Sequence, residues 1–270
     1  MTSPTEPVAA PAVPPAEAPA VDQSLLDFAV SLARAAGETT LAWFQATDLA
    51  VDAKADGTPV TAADRASERL VRERLAAIFP ADGILGEEEP ESRGTSGRRW
   101  IVDPIDGTKA FTRGVPLYST LLALDDEHGP ALGVIVLPAL GQAVYAGRGL
   151  GCWMDGAPAR VSTTAALDGS YLTASGYTHW DDRALLAVKH AGCHLRTWGD
   201  GYGYALVATG RADAMADPTV ELYDVAPMPV ILAEAGGRFT SLDGRPGAAG
   251  GSGLATNGLL HDELLGLLRT

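Results

Sequence analysis

The pattern of apolar and polar positions changes character several times along this chain. Residues 1–20 are nearly all Pro, Ala, Val, Thr and Glu, too poor in large apolar side chains to fold, and read as a disordered tail. From Asp22 onward Leu25, Leu26, Phe28, Ala29, Leu32, Ala33 and Ala36, then Leu41, Trp43 and Phe44, recur at helical spacing and predict a long amphipathic helix. A turn-rich link, Lys54-Ala55-Asp56-Gly57-Thr58-Pro59, leads to Thr61, which caps a second helix running to about Phe79. Asp64 stands where it completes a capping box with Thr61. Ile84-Leu85-Gly86 reads as a short strand that runs into Glu87, Glu88 and Glu89.

The central third carries the period of strands. Trp100-Ile101-Val102 predicts a short buried strand that Pro104 ends, because proline has no N–H for a sheet ladder. Leu117 to Leu124, Ala131 to Leu137 and Gln142 to Ala146 read as consecutive strands of an antiparallel sheet. Strands and helices then alternate. Strands are expected at Ser170 to Ser175, Leu195 to Trp198, Ala212 to Ala216 and Arg238 to Ser241. Helices are expected at Arg183 to His190, Tyr202 to Thr209, Tyr223 to Ala235 and Leu259 to Leu268. Pro227 and Pro229 fit the third of these only in its first turn or two. The class is mixed α and β in layers.

Composition narrows the picture. With 270 residues and a mean hydropathy of +0.06, the chain has material for one large domain or two small ones. It holds no apolar run near the ~20 residues of a bilayer span, and its N-terminus lacks the basic-then-apolar order of a secretory signal. Cys152 and Cys193 are not spaced as a metal pair, and a cytoplasmic location is expected. A formal net charge of −14 excludes a basic face for nucleic acid. The same charge would repel a phosphorylated substrate unless a cation inverted it locally, so a phosphate-handling protein of this composition must be metal-dependent.

One stretch offers that chemistry. In Asp103-Pro104-Ile105-Asp106-Gly107-Thr108 two carboxylates three residues apart can converge, and crowded like charges are relieved by a divalent cation. Gly107 permits close backbone approach, and Thr108 opens a helix whose free N–H groups can face an anion. An Asp-Gly turn between two strands explains the same residues. Likewise Glu87 to Glu89 suit a solvated surface, and Asp64 is accounted for by its capping box.

Taken together, Asp64, Glu87, Glu88, Asp103, Asp106 and Asp224, with Gly107-Thr108 after the second aspartate, resemble the inositol monophosphatase family of magnesium-dependent, lithium-sensitive phosphatases. Trp100 to Phe111 matches that family's first signature, and Tyr223-Asp224-Val225-Ala226 leading to Glu234-Ala235-Gly236-Gly237 matches its second. Tyr223 stands where a tryptophan is usual. The resemblance covers residues 22 to 269. It implies the αβαβα five-layer α/β sandwich of the inositol monophosphatase and fructose-1,6-bisphosphatase type, with halves at about 21–165 and 166–270 and often a homodimer. It also implies Mg²⁺ held by Glu87, Asp103, Asp106, Asp224 and the Ile105 carbonyl, and in-line hydrolysis by a metal-activated water. Glu87 and a Thr108–Asp64 pair would serve that water, Gly107 and Thr108 would receive the phosphate, Glu88 would stand further out, and Lys54 would lie near the metals.

Asp-Gly-Thr-Lys-Ala-Phe at 106–111, with Trp198-Gly199-Asp200-Gly201 and Asp217-Pro218, is similar to the histidinol-phosphate phosphatase branch of that family. In the family the alcohol half of the ester meets positions matching Asp200 and Asp217, and two carboxylates there suit a substrate carrying an ammonium and an imidazole. An N-cap and a turn residue are the alternative roles of these two aspartates. The other readings are an inositol-1-monophosphatase, a promiscuous sugar-phosphate or nucleotide 3′-phosphate phosphatase, and a non-catalytic metal- and phosphate-binding regulator.

Overall fold

The computed structural model describes residues 18–47, 49–53 and 59–269. Residues 1–17 of the tail expected over 1–20 and the expected position of Lys54 lie outside them, while residues 18–20 of that tail are placed against the fold. At the start of the described chain the Pro19 carbonyl accepts from Arg148 Nε at 2.8 Å, and Val21 N donates to the Arg148 carbonyl at 3.0 Å.

Five layers stack on two sheets. Helices α1 (Gln23–Thr40) and α2 (Ala62–Ile78) cover one face of a seven-stranded sheet ordered β3 to β9. Its strands are β3 (Gly83–Gly86), β4 (Arg99–Asp106), β5 (Ser119–Asp126), β6 (Gly129–Leu137), β7 (Gln142–Gly147), β8 (Gly151–Met154) and β9 (Ala157–Pro158). A short hairpin of β1 (Val51–Ala53) and β2 (Pro59–Thr61) precedes α2, and helix α3 (Thr108–Thr112) follows β4. The alternation of side chains along a strand sorts the core. Trp100, Val102, Leu122 and Val134 face α1 and α2, whereas Leu121, Ile135 and Val144 face the middle helices.

Those middle helices are α5 (Asp200–Ala208), α6 (Leu222–Val225) and α7 (Met228–Ala235). Beyond them lies a five-stranded sheet ordered β11-β10-β12-β14-β13, with α4 (Asp182–His190) and α8 (His261–Leu268) on its outer face. Its strands are β10 (Tyr171–Thr173), β11 (His194–Arg196), β12 (Ala214–Asp217), β13 (Arg238–Thr240) and β14 (Gly253–Thr256). Strands β10, β11 and β12 run parallel, so their C-terminal ends lie together.

The structure departs from the sequence expectations in several places, among them the first helix, which ends at Thr40 short of Trp43 and Phe44. Pro104 does not end β4, which runs on to Asp106 with a register shift against β5 between Asp103 and Asp106. A bulge tolerates the missing N–H, and the Pro104 carbonyl accepts from Thr120 Oγ1 at 2.8 Å. The helix expected over Tyr223 to Ala235 is two helices. Pro227 caps α7 and Pro229 sits in its first turn, where a missing N–H costs nothing, but neither could continue α6. Strand β14, in the interior of the second sheet, was hidden by the glycine-rich approach to it. A side chain on its Gly253 would place Cβ 2.6 Å from the Tyr204 hydroxyl.

Candidate active site

The parallel pairing of β3 and β4 builds the first half of the site. Gly86 pairs with Val102, so Glu87, which follows the end of β3, comes alongside Asp103 on β4. Asp103 shares the face of β4 that carries Ile101, against which α6 packs through Ala226 and Leu222, and this brings Asp224 alongside. Carboxylate oxygens of Asp103, Asp106 and Asp224 lie within 4.8 Å of one another. Glu87 is close enough to press on both Asp103 and Asp224 electrostatically. Three of the expected ligands, Asp103, Asp106 and Asp224, therefore come together, with Glu87 beside them.

The bulge aims Asp106 differently from Asp103. Its Oδ2 accepts from Ser119 Oγ at 2.7 Å and from the Gly201 N–H, a link from the first sheet to the start of α5. A Cβ at Gly201 would collide with Ser119 and Asp106, so this approach requires glycine. Gly107 adopts φ 83°, and a Cβ there would come within 2.8 Å of Asp200. It caps α3 without a side-chain hydrogen bond to that helix start.

The electrostatics are those of crowding. Burial, then the charges of Glu87, Asp106 and Asp224, hold the Asp103 carboxyl well above the ordinary range. Burial, then Asp200 and Asp224, do the same to Asp106. Asp224 is pushed up to about 7, by burial first, although its carboxylate accepts from Glu221 N at 2.8 Å. Asp103 Oδ1 and Asp64 Oδ1 are buried with no hydrogen-bond partner among the described residues. Orphaned carboxylate oxygens beside hard-oxygen neighbours are what a divalent cation relieves, so these residues fit a metal site.

Two expectations need correction. Thr108 does not pair with Asp64: its hydroxyl donates to the Ile105 carbonyl at 3.0 Å. Asp64 Oδ2 instead accepts from Thr61 N and Oγ1 at 2.8 and 2.7 Å, the capping box in full. Asp217 does not reach the cleft as a substrate contact. Its oxygens accept from Ser175 N at 2.9 Å, Ser175 Oγ at 2.8 Å and the Tyr204 hydroxyl at 3.3 Å, inside the fold. Burial pushes it up to about 6.

The cleft itself encloses about 520 Å³. Glu87, Asp103, Ile105, Asp106, Gly107 and Thr108 form its floor, and Asp200 and Asp224 line it too. Asp200, at φ 55° in the left-handed region that aspartate tolerates, is held by its N–H to Ser175 Oγ at 2.9 Å. Sequence reading missed Ser175, Thr197 and Arg113, and gave Lys109 no role, yet all four line the cleft. Lys109 and Arg113 are one helical turn apart after the aspartates, and Ser175 and Thr197 follow parallel strands at the ends where ligands bind, so both pairs had a readable signal.

Comparison with known proteins agrees with this geometry. The model of the inositol monophosphatase family matches residues 21–270. A histidinol-phosphatase of Mycobacterium tuberculosis is 46% identical over 249 residues, covering 89% of this chain and 96% of that protein. Another from Streptomyces coelicolor is 40% identical over 253 residues, 88% and 94% of the two chains. The solved structure of a Thermotoga maritima IMPase superimposes with a TM-score of 0.83 at 30% identity, covering 92% of this chain and 97% of that one. By sequence and by fold, the chain belongs to the inositol monophosphatase family.

Proposed function

We propose that this protein hydrolyses L-histidinol phosphate to L-histidinol and phosphate, with Mg²⁺ as its cation. Its membership of a phosphomonoester hydrolase family supplies the reaction class. The convergence of Asp103, Asp106 and Asp224 in a cleft that Asp200 also lines is the observation that carries the reading.

Glu87, Asp103, Asp106, Asp224 and the Ile105 carbonyl would hold the cation. When bound, such an ion supplies Lewis acidity that activates water and offsets phosphate charge. The residues of the chain do the rest. Glu87, at the rim of the cluster, accepts a proton from the attacking water. The N–H groups of Gly107 and Thr108 receive phosphate oxygens at the start of α3, and Lys109 and Arg113 add positive charge to the same wall. Ser119 and Gly201 keep Asp106 aimed while the phosphate enters. Asp200 receives the ammonium or imidazolium of the alcohol half. The halves at about 21–165 and 166–270 thus share the site, the first supplying most of the cation and phosphate contacts and the second supplying Asp224 to the cation and Asp200 to the alcohol. A cytoplasmic site of action and a homodimer belong to the same proposal, and light scattering tests the latter.

Phosphate release from histidinol phosphate, inositol 1-phosphate and adenosine 3′,5′-bisphosphate, each with Mg²⁺ and with chelator, tests the reading. Histidinol phosphate should lead in kcat/KM and lose turnover in chelator. A preference for either other ester would replace the substrate, and no turnover of any would leave a binding protein.

A further inference from the structure

Behind the cluster, on the side away from the cleft, lies a charge that the reaction does not use. Glu68 on α2 is completely buried, and a buried carboxylate is costly unless its oxygens are occupied. Here they are. Oε1 accepts from Arg72 Nε at 2.8 Å and from Glu89 N at 3.1 Å, and Oε2 accepts from Glu88 N at 2.8 Å. Gly86 passes so close that a Cβ on it would collide with this carboxylate. The backbone from Gly86 to Glu89 is therefore wrapped around one side chain.

Arg72 extends the grip. Its Nη2 donates to the Glu89 carbonyl at 2.9 Å and its Nη1 to Ser92 Oγ at 3.3 Å, so the loop after β3 is tied to α2 at both ends. Glu87 sits inside the tied segment. Its carboxylate lies near those of Asp103, Asp224 and Asp64. Asp64 stands one helical turn before Glu68, so the same helix that presses on Glu87 with one carboxylate restrains its backbone with another.

We infer that Glu68, with Arg72, is a positioning residue that fixes the backbone on either side of Glu87 and so holds Glu87 at the metal cluster. The inference rests on Glu87 being a metal ligand, as proposed above. Partners that orient ligands are worth 10- to 100-fold in metal affinity.

Calorimetric titration of Mn²⁺ into the full chain reads the site without turnover. Glu68→Gln keeps the size of the side chain but turns one acceptor toward a peptide N–H as a donor. Its Mn²⁺ affinity should fall by about tenfold or more, and amide exchange at 88 and 89 should quicken. Val71→Ala, a cavity in the same helix facing the α1 side, should lower the melting temperature and keep wild-type affinity. Arg72→Lys preserves the charge beside Glu68 but loses the fork to Glu89 and Ser92, so a fall of a few-fold is expected. It carries the test where Glu68→Gln does not fold. Wild-type affinity in folded Glu68→Gln, or failing that in Arg72→Lys, overturns the inference. Glu87→Gln separates the two claims. If it alone loses affinity, Glu87 is a ligand that Glu68 does not position. If it binds Mn²⁺ like wild type, the ligand assignment falls first.

Discussion

Asp103 at β4 and Asp217 at the end of β12 are both buried aspartates on strands that point toward the same cleft, yet their surroundings are opposite. Asp217 meets two donors from Ser175 and one from Tyr204, and the fold completes its coordination. Asp103 meets Glu87, Asp106 and Asp224, and its Oδ1 has no hydrogen-bond partner among the described residues. Burial raises both carboxyls, but only around Asp103 do carboxylates supply most of the remaining pressure. A carboxylate satisfied by protein donors is part of a scaffold, whereas one crowded by its own kind awaits a cation. The contrast separates the residues that do chemistry from those that hold them.

Replacing Asp103 should break that contrast with the largest effect. Asp103→Asn removes a ligand and also a repelling charge, so turnover should fall about 100- to 1000-fold while the melting temperature in chelator stays level or rises. Added Mg²⁺ should raise the wild-type melting temperature and leave that of the variant nearly unmoved, because only a state that binds the ion is stabilised by it. Scanning calorimetry with and without the ion checks both. A large loss of stability in chelator would mean that Asp103 is a structural residue like Asp217.

The second wall should respond more mildly and selectively. Asp200→Asn keeps the shape and the N–H to Ser175 but removes the charge facing the alcohol half. Histidinol phosphate should lose about tenfold in kcat/KM, the ~1.5 kcal/mol scale of a charge-assisted hydrogen bond, relative to p-nitrophenyl phosphate. Equal losses on both esters would return Asp200 to a purely structural place at the start of α5.

The same contrast explains what could be read from the sequence. The family expected from the residues around Asp106 and Asp224 is the one whose model matches the chain, and the layered α/β sandwich came with it. Candidate ligand types were legible because few residues other than carboxylates offer hard oxygens. Partners were not. Nothing along the chain says that Ser175 and Tyr204 would occupy Asp217, since those bonds depend on how β10, β12 and α5 meet. The role of Glu68 was hidden for a similar reason: it acts on backbone amides 20 and 21 positions away, which carry no residue signature. Local rules failed at Pro104 and at Gly253, where a bulge and a close ring contact override propensity.

A smaller effect sets the cluster against a buried histidine in the second sheet's outer layer. His261, at the start of α8, lies between Thr240 Oγ1 at 3.0 Å and Thr256 Oγ1 at 2.9 Å, and burial, then the charge of Arg238, pushes it down to about 4. The unfolded chain holds that proton up to about pH 6.5, so between pH 6.5 and 4 the unfolded state binds more of it. His261 therefore costs stability as the pH falls through this window, by up to about 1.4 kcal/mol per pH unit, and is silent above it. The carboxylates of the site act in the other direction. Their raised values, about 7 for Asp224, mean that the metal-free folded state takes up protons first and gains stability on acidification. In chelator the two opposing trends overlap in wild type, and His261→Gln should uncover the second. The variant should lose less melting temperature than wild type, or gain some, on going from pH 7 to pH 5. Identical shifts in the two proteins would show that His261 already carries its proton in the folded state.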